Sequence, residues 1–94
     1  MTSTIKSKDM VVDSISKSGI TLTANSYIDV TIDATKSGYK PIGVVGISKN
    51  GGASVYVVPS TFEIDGNNFK TFLRNTTNSN ATANLIVSIL YQKA

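Results

Sequence analysis

The chain has 94 residues, no cysteine and no histidine, with nine basic groups against six acidic ones for a net charge of +3. That length holds one domain with little room for an enclosed cleft. Without cysteine or histidine there is no disulfide framework, thiolate nucleophile, zinc-thiolate cluster, imidazole base or Ser-His-Asp triad.

Ser, Thr and Asn together account for 31 residues. These side chains suit strand faces and turns and compete with the backbone in helices. Apolar residues recur at a period of two in short runs broken by Gly, Asn, Asp and Ser, the pattern of an all-β sandwich or barrel. In chain order the spacing predicts strands over Asp9–Ser16, Ile20–Thr23, Tyr27–Ile32, Pro41–Ser48, Ser54–Val58, Thr61–Ile64, Phe69–Asn75 and Ala83–Gln92. Ser18-Gly19 and Asn25-Ser26 read as turns, Asn50-Gly51 as a type I′ hairpin, and Asp65-Gly66 as a second hairpin of the same kind. Residues 75–82 read as a polar loop with no apolar anchor. The expected fold is a single antiparallel β-sandwich of the jelly-roll kind over residues 1–94, without significant helix, with residues 1–8 as an extended N-terminal arm.

Two kinds of strand are distinguishable. Tyr27–Ile32 alternates cleanly, with Ile28, Val30 and Ile32 on one face. In the last strand Leu85, Val87, Ile89 and Tyr91 share a face while Ile86 and Leu90 flank Ser88 on the other. Pro41–Ile47 also carries aliphatic residues on both faces, with Gly43 and Gly46 between them. A sandwich presents only one face of each sheet to its core. Each buried Ile or Leu contributes about 1.5–3 kcal/mol, so leaving several in water would forfeit much of a small domain's stability. The second apolar surface, Ile86, Leu90, Val45, Ile47, Gly43 and Gly46, therefore reads as an interface between copies of the chain. The two strand glycines fit close approach of another backbone or a β-bulge.

The eight lysines and Arg74 are scattered rather than gathered on one face with interleaved aromatics, so no nucleic-acid partner is expected. No apolar run reaches the 18 or so residues that span a bilayer, and residues 1–9 lack the apolar core of a signal peptide. Neither membrane insertion nor export is expected, and synthesis in a cytoplasm is. Asn75-Thr-Thr77 and Asn80-Ala-Thr82 match the glycosylation sequon, a pattern frequent by chance in a chain this rich in Asn and Thr.

The run from Gly38 through Tyr39, Lys40, Pro41, Ile42, Gly43, Val44, Val45 and Gly46 to Ile47 is similar to a segment of small phage tail-fibre and receptor-binding tip domains. Leu73-Arg74-Asn75-Thr76 and the closing Ala83–Lys93 resemble two further segments of that family in the same order, so the likeness covers the last 57 residues or so. The resemblance implies a β-sandwich knob that trimerises at a fibre end, sits in the virion among other virion proteins, and attaches to the host surface. A purely structural role, as a capsid decoration or head-fibre protein, is the alternative it leaves open.

Glu63 with Asp65, and Asp29 with Asp33, are spaced to share strand faces. Paired carboxylates serve glycosidases or calcium sites, but these pairs have no further acids close by in sequence and read as solvated. No catalytic residue, metal site or cofactor is expected. For a host surface glycan the candidate contacts are Tyr56 beside the Asn50-Gly51-Gly52 tip, Tyr27 beside Asp29, and Asn78 and Asn80 in the polar loop, the rings being otherwise free to pack at sheet faces. Phe62, Phe69 and Phe72 read as core.

Overall fold

A computed structural model describes residues 9–52 and 54–94. The chain forms β1 (Met10–Leu22), β2 (Tyr27–Asp33), β3 (Tyr39–Asn50), β4 (Val57–Asp65), β5 (Asn68–Asn75) and β6 (Ala81–Lys93), with a short 3₁₀ turn over Ser54–Tyr56. Two antiparallel three-stranded sheets pack face to face: sheet A has the order β1-β6-β3 and sheet B the order β2-β5-β4. The chain changes sheet at every connection except the β4–β5 hairpin. The body is elongated, 57 × 21 × 19 Å.

The expected all-β sandwich is present, with six strands where eight runs were predicted. Ser18-Gly19 is a bulge inside the single long β1, not a turn; the register with β6 shifts between Lys17 and Ile20. The shift resets the alternation so that Ile20 and Leu22 face inward, and the Asn84 side chain accepts from the Gly19 N–H at 2.8 Å. The runs at 54–58 and 61–64 likewise resolve into the 3₁₀ turn and one strand, β4, bulged between Ser60 and Glu63.

Asn50-Gly51 is not a hairpin. β3 pairs with β6 and β4 with β5, so the chain at residue 51 turns a corner from one sheet to the other. Glycine is needed there for a different reason: Gly51 has φ 119°, and a Cβ on it would lie 2.7 Å from the Thr82 carbonyl oxygen. Asp65-Gly66 does lead into a hairpin, with Asp65 opposite Asn68. Among its two central residues only Gly66 has positive φ, 60°, the pattern of a type II′ rather than a type I′ turn.

The core is the inner face of β6 laid over sheet B. Ala81, Ala83, Leu85, Val87, Ile89 and Tyr91 pack with Ile20, Leu22, Val30, Ile32, Val57, Phe69 and Leu73. Of the three phenylalanines assigned to the core only Phe69 belongs there; Phe62 and Phe72 are 48% and 40% exposed. Phe62 sits in the β4 bulge and stacks on Phe69 from the rim, with centroids 6.4 Å apart. Phe72 occupies the register position opposite Asp29 and Ser60, facing away from the core.

Candidate functional site

Cross-strand partners in an antiparallel sheet share a face, so the register assigns every outward side chain. The outer face of sheet A reads in rows: Val12–Leu90–Gly43, Ser14–Ser88–Gly46 and Ser16–Ile86–Ser48, with Met10, Gln92 and Lys40 at one end and Thr21, Thr82, Asn84 and Asn50 at the other. Among the described residues Lys40 is the one charged residue on it. Val12 is 57% exposed and Ile86 41%, while Leu90 is half-buried. Val12, which the sequence reading overlooked, thus completes an aliphatic row with Leu90.

β3 reaches this arrangement through two bulges, between Pro41 and Gly43 and between Val44 and Gly46. They insert Ile42 and Val45 as extra residues and leave Pro41, Val44 and Ile47, three apart, facing inward opposite Tyr91, Ile89 and Val87. Ile47 therefore packs against the core instead of lying on the outer surface with Ile86 and Leu90. Ile42 and Val45 remain 40% and 59% exposed at the sheet edge, where a groove of about 560 Å³ runs between β3 and the Phe62–Ile64 stretch of β4. A Cβ added at Gly43 or Gly46 would meet nothing within 4 Å, and neither has positive φ. Nothing among the described residues requires glycine at either position.

The candidate receptor contacts separate into three places. Tyr56 and Asn78 come together at the loop end of the sandwich, lining a depression of about 510 Å³ with Asn25, Thr76 and Thr77. Thr76 holds the turn in place, donating to the Tyr56 carbonyl from its N–H (2.9 Å) and its hydroxyl (2.8 Å). Asn80 is exposed further along the same loop. Asn50 lies apart, at the end of β3, accepting from the Asn84 side chain at 2.9 Å. Tyr27 is on the outer face of sheet B, 69% exposed and tilted against Phe72 with centroids 6.3 Å apart.

The loop, which has no apolar anchor, is held by a polar one. Asn75 is fully buried; its Nδ2 donates toward the carbonyls of Leu22 (3.3 Å), Thr23 (3.1 Å) and Ser79 (2.8 Å), and its Oδ1 accepts from the Thr77 N–H (3.0 Å). One amide thus ties the end of β1 to the 76–80 loop. It also leaves the Asn75 sequon sealed in the interior.

Sheet B's outer face is chemically unlike that of sheet A. Its rows are Tyr27–Arg74–Val58, Asp29–Phe72–Ser60, Thr31–Lys70–Glu63 and Asp33–Asn68–Asp65. Among the described residues four carboxylates and two cations stand here. Lys70 Nζ meets Asp65 Oδ2 at 2.8 Å. That hydrogen bond and charge hold the Asp65 carboxyl below its ordinary range and raise the Lys70 ammonium, Glu63 and Asp29 adding smaller pulls in the same direction. Among the described residues no three acidic, cysteine or histidine side chains gather as a metal-binding group.

Comparison with protein-family models, with curated proteins and with solved structures finds no match to this chain.

Proposed function

We propose that the protein is a non-enzymatic attachment module: a virion fibre-tip domain that associates as a homotrimer through the outer face of sheet A and displays its remaining surface to the host cell. The observation that carries this reading is the near absence of charge among the described residues of that face. Its rows of Val12, Leu90, Ile86, serines and glycines hold one lysine, whereas a solvated sheet face normally mixes in charge, and interface cores are depleted of it. The glycines add to this. Gly43 and Gly46 leave the β3 side of the Leu90–Ser88 ridge bare without serving any contact among the described residues, as close approach of a second copy requires. The resemblance of residues 38–47, 73–76 and 83–93 to tip domains supplies the trimer and the setting in the virion. Three modest sites on one knob give avidity without a deep pocket.

The test is attachment to isolated bacterial envelopes by the wild-type protein and by Ile86→Lys, which places a charge on the proposed contact. The wild type should be retained, and Ile86→Lys, as a folded single copy, should bind about a hundredfold more weakly. Equal binding by the two proteins, or none by the wild type, would contradict the reading. Gold labelling of particles should place the protein at a fibre end; a position in the capsid lattice would replace attachment with a decorating role.

A further inference from the structure

The two outer faces of this sandwich differ in chemistry, the one on sheet B mixing aromatic, charged and hydroxyl side chains. A groove of about 310 Å³ crosses it, with Phe72 as its aromatic wall and Asp29, Thr31, Thr61, Glu63 and Lys70 around it. Tyr27 leans on Phe72 and continues the aromatic surface beyond the groove. We propose that this groove binds a saccharide, with Phe72 and Tyr27 stacking on the apolar face of a pyranose ring, and that it takes uncharged or amine-bearing sugars in preference to anionic ones.

The class follows from the mixture of groups. A sugar ring presents C–H bonds on its faces and hydroxyls around its rim, each both donor and acceptor. The groove offers an exposed ring for the faces, carboxylate acceptors in Asp29 and Glu63, an ammonium donor in Lys70, and hydroxyls in Thr31 and Thr61 that do both. Phe72 is 40% exposed in a strand whose neighbours on either side, Thr71 and Leu73, are buried, so the ring is held on a rigid element. The preference follows from the charge. Asp33, Asp29, Glu63 and Asp65 face two cations on this side of the sandwich, and the Lys70 ammonium is already bonded to Asp65. Asp29 and Glu63 make no ion pair among the described residues, so a carboxylated or sulfated sugar entering beside them would meet an excess of like charge.

The inference rests on the attachment reading and deepens it by moving recognition from the loop end to sheet B. Its test is retention of the intact protein on three immobilised oligosaccharides: neutral chitohexaose, its amine-bearing deacetylated form, and anionic oligogalacturonate. Neutral or amine-bearing chains should be retained and the anionic one not. Phe72→Ala should weaken retention about tenfold or more, while Lys93→Ala, at the exposed end of β6, should leave it unchanged. The double variant Asp29→Asn/Glu63→Gln keeps the shape of the groove and should admit oligogalacturonate. Retention of none of the three, retention of the anionic chain alone, or indifference to Phe72→Ala overturns the proposal. Envelope attachment that survives Phe72→Ala and fails with Tyr56→Ala would sink this site and leave the attachment module standing, whereas loss of envelope binding by the wild type would remove both.

Discussion

The Tyr91 hydroxyl donates a 2.7 Å hydrogen bond to the Ala34 carbonyl, across the interior from the end of β6 to the segment leaving β2. Both residues are buried, and burial raises the phenol's pKa, the nearby Asp13 adding to the shift. Lys36 closes the same corner from outside, 3.0 Å from Asp13 and above the rings of Tyr39 and Tyr91 at 5.5 and 6.0 Å. This corner joins the two sheets at the end remote from the 76–80 loop. Tyr91→Phe keeps the ring and strands the carbonyl, so it should lower unfolding free energy by about 1–2 kcal/mol with little change in denaturant slope. Urea unfolding followed by tyrosine fluorescence measures this; an unchanged midpoint would show that the bond contributes nothing.

At the opposite end the equivalent tie is Asn75. Asn75→Asp preserves size and the acceptor for Thr77 but turns a carboxylate toward the carbonyls of Leu22, Thr23 and Ser79. A loss of about 3 kcal/mol is expected at neutral pH, with faster amide exchange over residues 76–80. Stability equal to the wild type would mean that the loop is held by something else.

Gly51 and Gly46 make a matched pair. Gly51→Ala drives a methyl to 2.7 Å from the Thr82 carbonyl oxygen at a φ of 119°, and should cost about 1–3 kcal/mol. Gly46→Ala meets open space in the isolated chain, so its thermal midpoint as a diluted single copy should hold within the scatter of surface substitutions, while association between copies weakens. Calorimetry of the two variants at low and high concentration separates these effects.

Stability should be flat across neutral pH. With no histidine or cysteine, no side chain has an ordinary pKa near 7. Asp13, Asp33 and Asp65 are held below the ordinary aspartate pKa of 3.8, chiefly by hydrogen bonds from Lys36, Thr35 and Lys70. Their contribution is present above that value and is lost as pH falls through the depressed ones. Lys36 and Lys70 are raised above 10.5 by their aspartates, and Tyr91 above 10.0 by burial. Their contributions are present below those values and are lost as pH rises through the raised ones. The thermal midpoint should therefore hold between about pH 5 and 9 and fall on both sides; a transition near pH 7 would contradict this assignment.

Much of this architecture was legible in the alternation of β6. Leu85, Val87, Ile89 and Tyr91 are all buried, and Ile86 lies outside as expected. The bulges were not legible, because each changes which residues face inward by an amount that only the partner strand determines. Ile47 moved to the core side in this way, and Ser18-Gly19 changed from turn to bulge. Asn50-Gly51 misled because residue preference reports a backbone conformation and not which strands it joins. Phe72 could have been placed from the sequence: it shares the alternation of Lys70 and Arg74, two charged residues that cannot sit in so small a core. Asn75 carried no such signal, since a buried amide and an exposed one look alike in a polar run.

Light scattering of the purified protein over a wide concentration range is the measurement that bears most directly on the shielding of Val12, Ile86 and Leu90. The expected result is a mass about three times the 10.0 kDa of one chain, falling to a single chain in Ile86→Lys. A folded wild-type protein that stays at one chain mass up to the highest concentration, indistinguishable from Ile86→Lys, would contradict the account.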